Sequence, residues 1–354
     1  MKTDILIIGA GLTGLLLTHK LKKKGVSLKV IEARNRIGGR IHTINSQQQT
    51  PIEMGATWLG KQHKELMHTL EDLDISVFEQ YMKGIALFEP LSTAPPQQIE
   101  LPSNQEASYR IQGGTSTLID TLANSLESNE LILNKKIVSI SYNKQNQFTV
   151  RSDNHEEFES KYVISTLPPF LLINSIQFDP QLPESVNAIA SKTHTWMEDS
   201  IKFGVSYQNP FWKEMNYSGT IFSNVGPITE LYDHSSYEND KYALKGFLQS
   251  GLYLLPKEKR KEKVLLQLEK LFGKVAKNYL AYEELLWTNE IYTSYPKEQY
   301  ILPHQNNGHQ IYQNGFFDDH FYIAGTETSP LYGGYMEGAV LSANFIYQKL
   351  KYIL

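Results

Sequence analysis

The sequence predicts an α/β fold: a mostly parallel sheet covered by helices and assembled from segments far apart in the chain, joined to a second domain of mixed α+β structure. Three observations predict it. Asp4-Ile5-Leu6-Ile7-Ile8 is an unbroken apolar run of the kind found in strands buried on both faces of a parallel sheet. Helical spacing follows at Leu12, Leu15, Leu16 and Leu21 before Gly25, and Leu28-Lys29-Val30-Ile31 reads as a second strand, which completes a βαβ unit. At the far end, Phe321-Tyr322-Ile323-Ala324 runs through a glycine turn into a helix with Met336, Ala339, Val340, Ala343, Ile346 and Leu350 on one face.

The elements between follow in order. Leu66, Met67, Leu70 and Leu73 predict a helix over 63–73, and Leu118, Ile119, Leu122 and Leu126 predict another over 115–126 after the Gly113-Gly114 turn. Residues 85–102 contain Pro90, Pro95, Pro96 and Pro102 and read as a loop or irregular hairpin that covers a site. Residues 131–164 alternate in strand fashion, and the last strand runs out at Pro168-Pro169. Residues 192–295 are rich in aromatics, mix strands with a charged helix near 257–272, and read as a separate domain. The expected division places 1–78, 110–191 and 288–354 in a discontinuous, Rossmann-like dinucleotide-binding domain, and 79–109 and 192–287 in the second domain.

Composition sets limits on partners. A chain of 354 residues, 41% hydrophobic, can bury two cores. Its 34 Lys and Arg stand against 38 Asp and Glu, so no positive field would draw nucleic acid or an anionic membrane, and neither partner is expected. The absence of cysteine excludes a disulfide framework, a thiolate metal site, a redox CxxC pair and a thioether link to a cofactor. The 10 histidines show no HExxH spacing and there is no GxSxG elbow, so no metal is expected and hydrolase chemistry is disfavoured. No apolar run approaches the roughly 18 residues of a membrane span, and a cytoplasmic location is expected.

Gly9-Ala10-Gly11-Leu12-Thr13-Gly14 is GxGxxG directly after an apolar strand and opening a helix. In that setting the first glycine permits the turn, the second lets backbone approach a pyrophosphate, and the third lets helix and strand pack closely. The helix N-terminus adds unpaired N–H donors. Glu32 closes the second strand, where its carboxylate can accept hydrogen bonds from a ribose diol. A mere tight turn would explain the glycines but not the strand, spacing and acid together. The choice between NAD and FAD needs further residues.

Those residues are Arg34, Gly38, Gly39 and Arg40, where paired glycines allow close backbone approach and arginine suits a diphosphate. The string from Glu32 to Arg40, then Glu53-Met54-Gly55-Ala56-Thr57-Trp58, then Ala324-Gly325-Thr326-Glu327 with Gly334-Tyr335-Met336, resembles the flavin-containing monoamine oxidase family. The Gly113-Gly114 turn, Pro168-Pro169, Ile201-Lys202-Phe203 and Asn209-Pro210-Phe211-Trp212 extend the resemblance through the middle. One departure is large. The family has a long helical stretch where this chain has only residues 59–112, so a more open substrate cavity, or one closed by a partner chain, is expected.

The resemblance implies bound FAD. Its ADP half would contact Gly9, Gly11, Gly14, Glu32, Arg34 and the backbone near Ile137. Its flavin half would contact Gly39, Arg40, Gly55, Ala56, Thr57, Trp58, Trp287, Gly325, Thr326, Glu327, Gly334, Tyr335, Met336 and Ala339. Related enzymes often hold the flavin through a cysteine before the first cage tyrosine. Here Ile291 precedes Tyr292, so the flavin is expected to be non-covalent.

Tyr292 and Tyr335 match the two aromatic residues that form the family's amine cage, where electron-rich ring faces orient the amine nitrogen. Lys202 lies in Ile201-Lys202-Phe203-Gly204-Val205, whose alternation sets it opposite the apolar face. It is either a solvated strand residue or, by resemblance, the lysine that reaches flavin N5 through a water and assists reoxidation by oxygen. The expected reaction takes a hydride equivalent from the α-carbon of a small neutral amine to flavin N5, releases an imine, and reoxidises the flavin with O2 to give H2O2. A flavin desaturase or dehydrogenase using another acceptor, and an FAD-binding protein without turnover, stay open as alternatives. No arginine is placed by motif to receive a substrate carboxylate, which weighs against amino acids, and oligomeric state is not legible.

Overall fold

A computed structural model describes residues 1–45, 49–102 and 106–352. Residues 46–48, 103–105 and 353–354, which the expected domain spans include, lie outside the described residues. The main sheet runs Leu131–Ile132, Leu28–Ile31, Lys2–Ile8, Glu157–Ser165, all parallel, with Phe321–Ile323 pairing parallel to the end of Glu157–Ser165. The first half of Glu157–Ser165 instead carries the antiparallel strands Phe148–Ser152 and Ile137–Tyr142, with Gln177–Asp179 at the edge.

The two faces of this sheet build two cores by the period-2 alternation of strand side chains. Ile5 and Ile7 face the helices Leu12–Lys22, Ser116–Ala123 and Met336–Leu350, while Leu6 and Ile8 face Phe148, Phe158, Leu172 and Tyr312. The residues that predicted these helices are the ones they bury: Leu15, Leu118, Leu122, Val340 and Ala343 are sealed from solvent. The C-terminal strand thus enters the sheet that residue 2 begins, and the C-terminal helix packs on one face of it.

A second, seven-stranded sheet runs Tyr279–Leu286, Ile201–Tyr207, Tyr242–Leu248, Ile228–Asp233, Tyr217–Ser223, Ile85–Glu89, Gln97–Glu100. Ile201, Phe203 and Val205 pack with Val264, Leu268 and Phe272 of the helix Lys257–Phe272. The opposite face is covered by Ile52 and Met54, which reach Ala243. Among the described residues no helix is long and apolar enough to cross a membrane.

One sequence expectation changes here, and one of the two readings of Lys202 is removed. Residues 85–102 form a regular hairpin, with Ile85 opposite Glu100 and Phe88 opposite Gln97, rather than a loop or irregular hairpin. Pro95 and Pro96 sit in its turn and Pro90 and Pro102 outside its strands, so no proline blocks a ladder bond. It edges the second sheet and contributes no residue to the cavity described below, so it does not cover the site. Lys202 is not on a solvated strand face either: every residue of Ile201–Tyr207 is buried, because the 52–58 segment covers the face that alternation assigns to water.

Candidate active site

One cavity of about 530 Å³ runs from the glycine turn to the second sheet. All the cofactor and catalytic residues expected from the sequence line it except Gly14, Gly55 and Glu327. Those three stand behind the wall. A Cβ on Gly14 would lie 2.1 Å from the Gly9 carbonyl oxygen, so this glycine serves the close packing of helix on strand. Gly55 packs against the Arg40 backbone, and Glu327 is fully buried.

At the cradle end, Glu32 accepts the Ala10 N–H at 2.9 Å on Oε2 and the Arg34 N–H at 2.9 Å on Oε1. The carboxylate therefore stitches the glycine turn to the loop after the second strand. Arg34 turns away from the turn, donating to Glu290 at 3.1 Å and to Thr293 Oγ1 at 2.8 Å. Lys135, Lys136 and Ile137 close this end. Arg40 forms a two-pronged ion pair with Glu327, 2.5 Å from Nη1 to Oε1 and 2.8 Å from Nη2 to Oε2. The buried carboxylate holds the guanidinium in place where it lines the cavity.

At the other end lies an aromatic box. The Tyr335 ring lies 5.8 Å from His304, nearly parallel at 7°, 5.8 Å from Trp196 and 6.4 Å from His63. His63 accepts the Gly60 N–H on Nδ1, which leaves Nε2 as the protonated nitrogen of its neutral ring, and burial lowers its pKa below the usual histidine value. Trp196, Tyr335 and His63 all line the cavity. Met197, next to Trp196, adopts φ 64°, a strained conformation for this residue type at a site wall.

Tyr292 and Tyr335 both line this cavity, but the rings in contact with Tyr335 do not include that of Tyr292. Tyr292 lies against Arg34, 5.6 Å from the guanidinium carbon to the ring centroid, and its carbonyl accepts from Arg34 at 3.4 Å. Arg34 also holds Glu290 and Thr293 on either side of it. The rings beside Tyr335 are Trp196, His304 and His63, which motif matching did not single out. Trp196 and His63 were visible only as an aromatic and a histidine at element ends; nothing in local sequence ties them to residue 335.

On the sheet side, Trp58 packs on Tyr232 at 4.9 Å and Phe247 at 6.2 Å, and Trp287 donates to the Met54 carbonyl at 2.8 Å. Lys202 donates from Nζ to the Gly55 carbonyl at 2.5 Å, and burial lowers its pKa to about 8, with Glu53 opposing the shift. Glu53 is itself buried, accepting the Thr115 N–H at 2.5 Å, and burial raises its pKa.

A parallel sheet with a glycine turn, an acid at the end of its second strand and a cavity reaching a second sheet defines a dinucleotide-binding protein. More narrowly, the chain belongs to the family described as flavin containing amine oxidoreductase, which it matches over residues 12–94 and 78–344. It is 24% identical to the probable flavin-containing monoamine oxidase A of Dictyostelium discoideum, covering 98% of this chain and 97% of that protein. It is also 24% identical to human amine oxidase [flavin-containing] B, over 96% of this chain and 84% of that protein. The Dictyostelium alignment runs over 456 positions although this chain has 354 residues, so the relative carries segments that this chain lacks. Among solved structures, a putrescine oxidase bound to putrescine superimposes with a TM-score of 0.85 at 20% identity, covering 99% of both chains. A cyclohexylamine oxidase from Brevibacterium oxydans does so at 0.84 and 18%, again over 99% of each. These likenesses show the fold.

FAD is the cofactor of this family, and the residues present fit it. The glycine turn leaves no room for a Cβ at Gly14, an acid stands at the end of the second strand, and a guanidinium fixed by a buried carboxylate lines the cavity.

Proposed function

We propose that this protein is an FAD-dependent oxidase of small amines. The observation that carries the reading is a single cavity lined at one end by the Glu32 cradle and at the other by Lys202, Trp58, Trp196 and Tyr335. When bound, FAD would supply a two-electron acceptor for the amine Cα–H bond, so that the amine would leave as an iminium that loses a proton and hydrolyses, and the two electrons, with two protons, would pass to O2 as H2O2.

The chain's own residues have these roles in the reading. Gly9, Gly11, Glu32, Arg34 and Ile137 hold the ADP half. Gly39, Arg40, Ala56, Thr57, Trp58, Trp287, Gly325, Thr326, Gly334, Met336 and Ala339 hold the flavin half, with Gly14, Gly55 and Glu327 shaping the wall from behind. Tyr335, with Trp196 beside it, presents ring faces that orient the amine nitrogen and exclude water. Lys202 keeps an ammonium in the cavity wall, where positive charge stabilises the reduction of oxygen. Tyr292 steadies Arg34 instead of facing the amine.

The test is anaerobic. FAD-loaded protein is mixed with a panel of primary, secondary and di-amines while the visible flavin absorbance is followed. Bleaching that recovers on admitting air, with H2O2 formed, is the expected result. If no amine bleaches a flavin that dithionite reduces, the oxidase reading fails and the desaturase and binding-protein readings replace it.

A further inference from the structure

The face of the second sheet that meets the cavity carries two lysines, and the function proposed above uses one. In the antiparallel register Lys202 pairs with Phe247 and Gly204 with Lys245, which makes Lys202 and Lys245 diagonal neighbours on one face. Lys245 is fully buried. Its Nζ donates to Thr57 Oγ1 at 3.0 Å and sits 4.0 Å from the Trp58 ring centroid and 4.7 Å from that of Phe247. Thr57 Oγ1 donates in turn to the Gly55 carbonyl at 3.2 Å, and that same carbonyl accepts from Lys202 Nζ at 2.5 Å. One carbonyl oxygen therefore ties both amines together, and the residues that Lys245 braces, Thr57 and Trp58, line the cavity.

Two ammonium groups in one buried site oppose each other. Facing Lys245 are Lys202 on the neighbouring strand and Arg110 on the strand Ser108–Ile111, both cationic, with Glu53 and Glu230 opposed to them. His234 lies nearby, its ring kept neutral by burial. Burial, then Lys202, hold the Lys245 pKa well below that of an ordinary lysine, whereas for Lys202 burial is opposed by Glu53 alone.

We propose that Lys245 is a positioning residue that works as an uncharged amine: it anchors the Thr57–Trp58 wall of the cofactor cavity and, through the Gly55 carbonyl, keeps Lys202 as the one ammonium of the pair. The inference rests on the proposed role of Lys202 in reoxidation. A second charge at residue 245 would drive the proton off Lys202 and remove the charge from the cavity wall.

The experiment uses FAD-loaded protein reduced with dithionite, so that no amine is required, and compares wild type with Lys245→Met, Lys245→Arg and Lys202→Met. The expected result is that Lys202→Met disfavours flavin reduction tenfold or more, whereas Lys245→Met shifts the same equilibrium less than threefold. Lys245→Met slows reoxidation in air several-fold without moving its pH midpoint, and Lys245→Arg moves the midpoint down by a pH unit or more. Unfolding supplies a readout without turnover. Below the pKa of an ordinary lysine, and down to the lowered pKa of native Lys245, the unfolded chain binds a proton at residue 245 that the native chain does not, so native stability rises with pH across that window. Lys245→Met loses that part of the slope, about tenfold in the unfolding constant per pH unit.

The proposal is overturned if Lys245→Met shifts flavin reduction as far as Lys202→Met does, or leaves the stability slope unchanged, because either result means a charged Lys245. Wild-type reoxidation in Lys245→Met overturns the positioning role. Wild-type reoxidation in Lys202→Met instead overturns the proposed role of Lys202, and the unfolding slope still decides the charge on Lys245.

Discussion

Substitution of Glu32 by glutamine separates what the carboxylate does for the fold from what it does for the cofactor. The residue is 5% exposed, and its two carboxylate oxygens each accept a backbone N–H, from Ala10 and from Arg34, at 2.9 Å. A glutamine amide offers one acceptor oxygen and one donor nitrogen. Whichever way it is placed, one of those backbone donors faces another donor, and an unpaired buried N–H costs about 1–3 kcal/mol of stability. Glutamine also removes the charge-assisted hydrogen bond to the ribose diol, worth about 1.5–3 kcal/mol. Taking about 2 kcal/mol for that bond, FAD binds Glu32→Gln about 30-fold more weakly. The assay is a fluorescence titration with FAD at fixed pH, alongside thermal unfolding with and without saturating FAD to divide the two effects. A Glu32→Gln protein that binds FAD with wild-type affinity would refute the reasoning, since the carboxylate would then be only a turn staple.

Three further outcomes are expected. Tyr335→Ala lowers amine turnover at least tenfold while FAD stays bound, whereas Tyr292→Ala weakens FAD retention more than it affects turnover, because its ring lies on Arg34; equal effects on turnover in steady-state assays would restore a tyrosine pair. Gly334→Ala abolishes turnover or folding, since φ is +93° and a Cβ would come within 2.8 Å of Trp196, and a crystal structure or activity measurement showing an undisturbed variant counts against this. Flavin reoxidation falls as pH rises through about 8, because the depressed pKa of Lys202 leaves the amine neutral above that pH and charged below it; Lys202→Met is slow and flat over the same range by stopped flow.

Legibility in the sequence followed the range of the interactions. The unit from Lys2 to Ile31, the helix Lys257–Phe272 and the C-terminal helix were readable because their signals are local: apolar periodicity, and glycines at fixed offsets from a strand. Glu32 was readable for the same reason, since a strand end fixes where its carboxylate goes. The hairpin over 85–100 was misread because proline counts mark turns without saying which strand will pair beside them. The contact of Tyr292 with Arg34 is not legible, because the two residues are 258 positions apart in the chain. The burial of Lys202 was hidden because alternation reports which face a side chain takes, not whether that face meets water.

The sequence by itself determined that this chain builds a dinucleotide cradle, that a thioether-linked flavin is excluded, and that its family uses FAD. Those conclusions need only residue identity and short spacing. Only the tertiary structure decided that Trp196, His304 and His63 surround Tyr335, and that Lys202 shares the Gly55 carbonyl with Thr57, which Lys245 holds in turn. Such groupings join strands and turns from separate parts of the chain, and they exist because two sheets close on the segment between Ile52 and Trp58, a packing that no local pattern encodes.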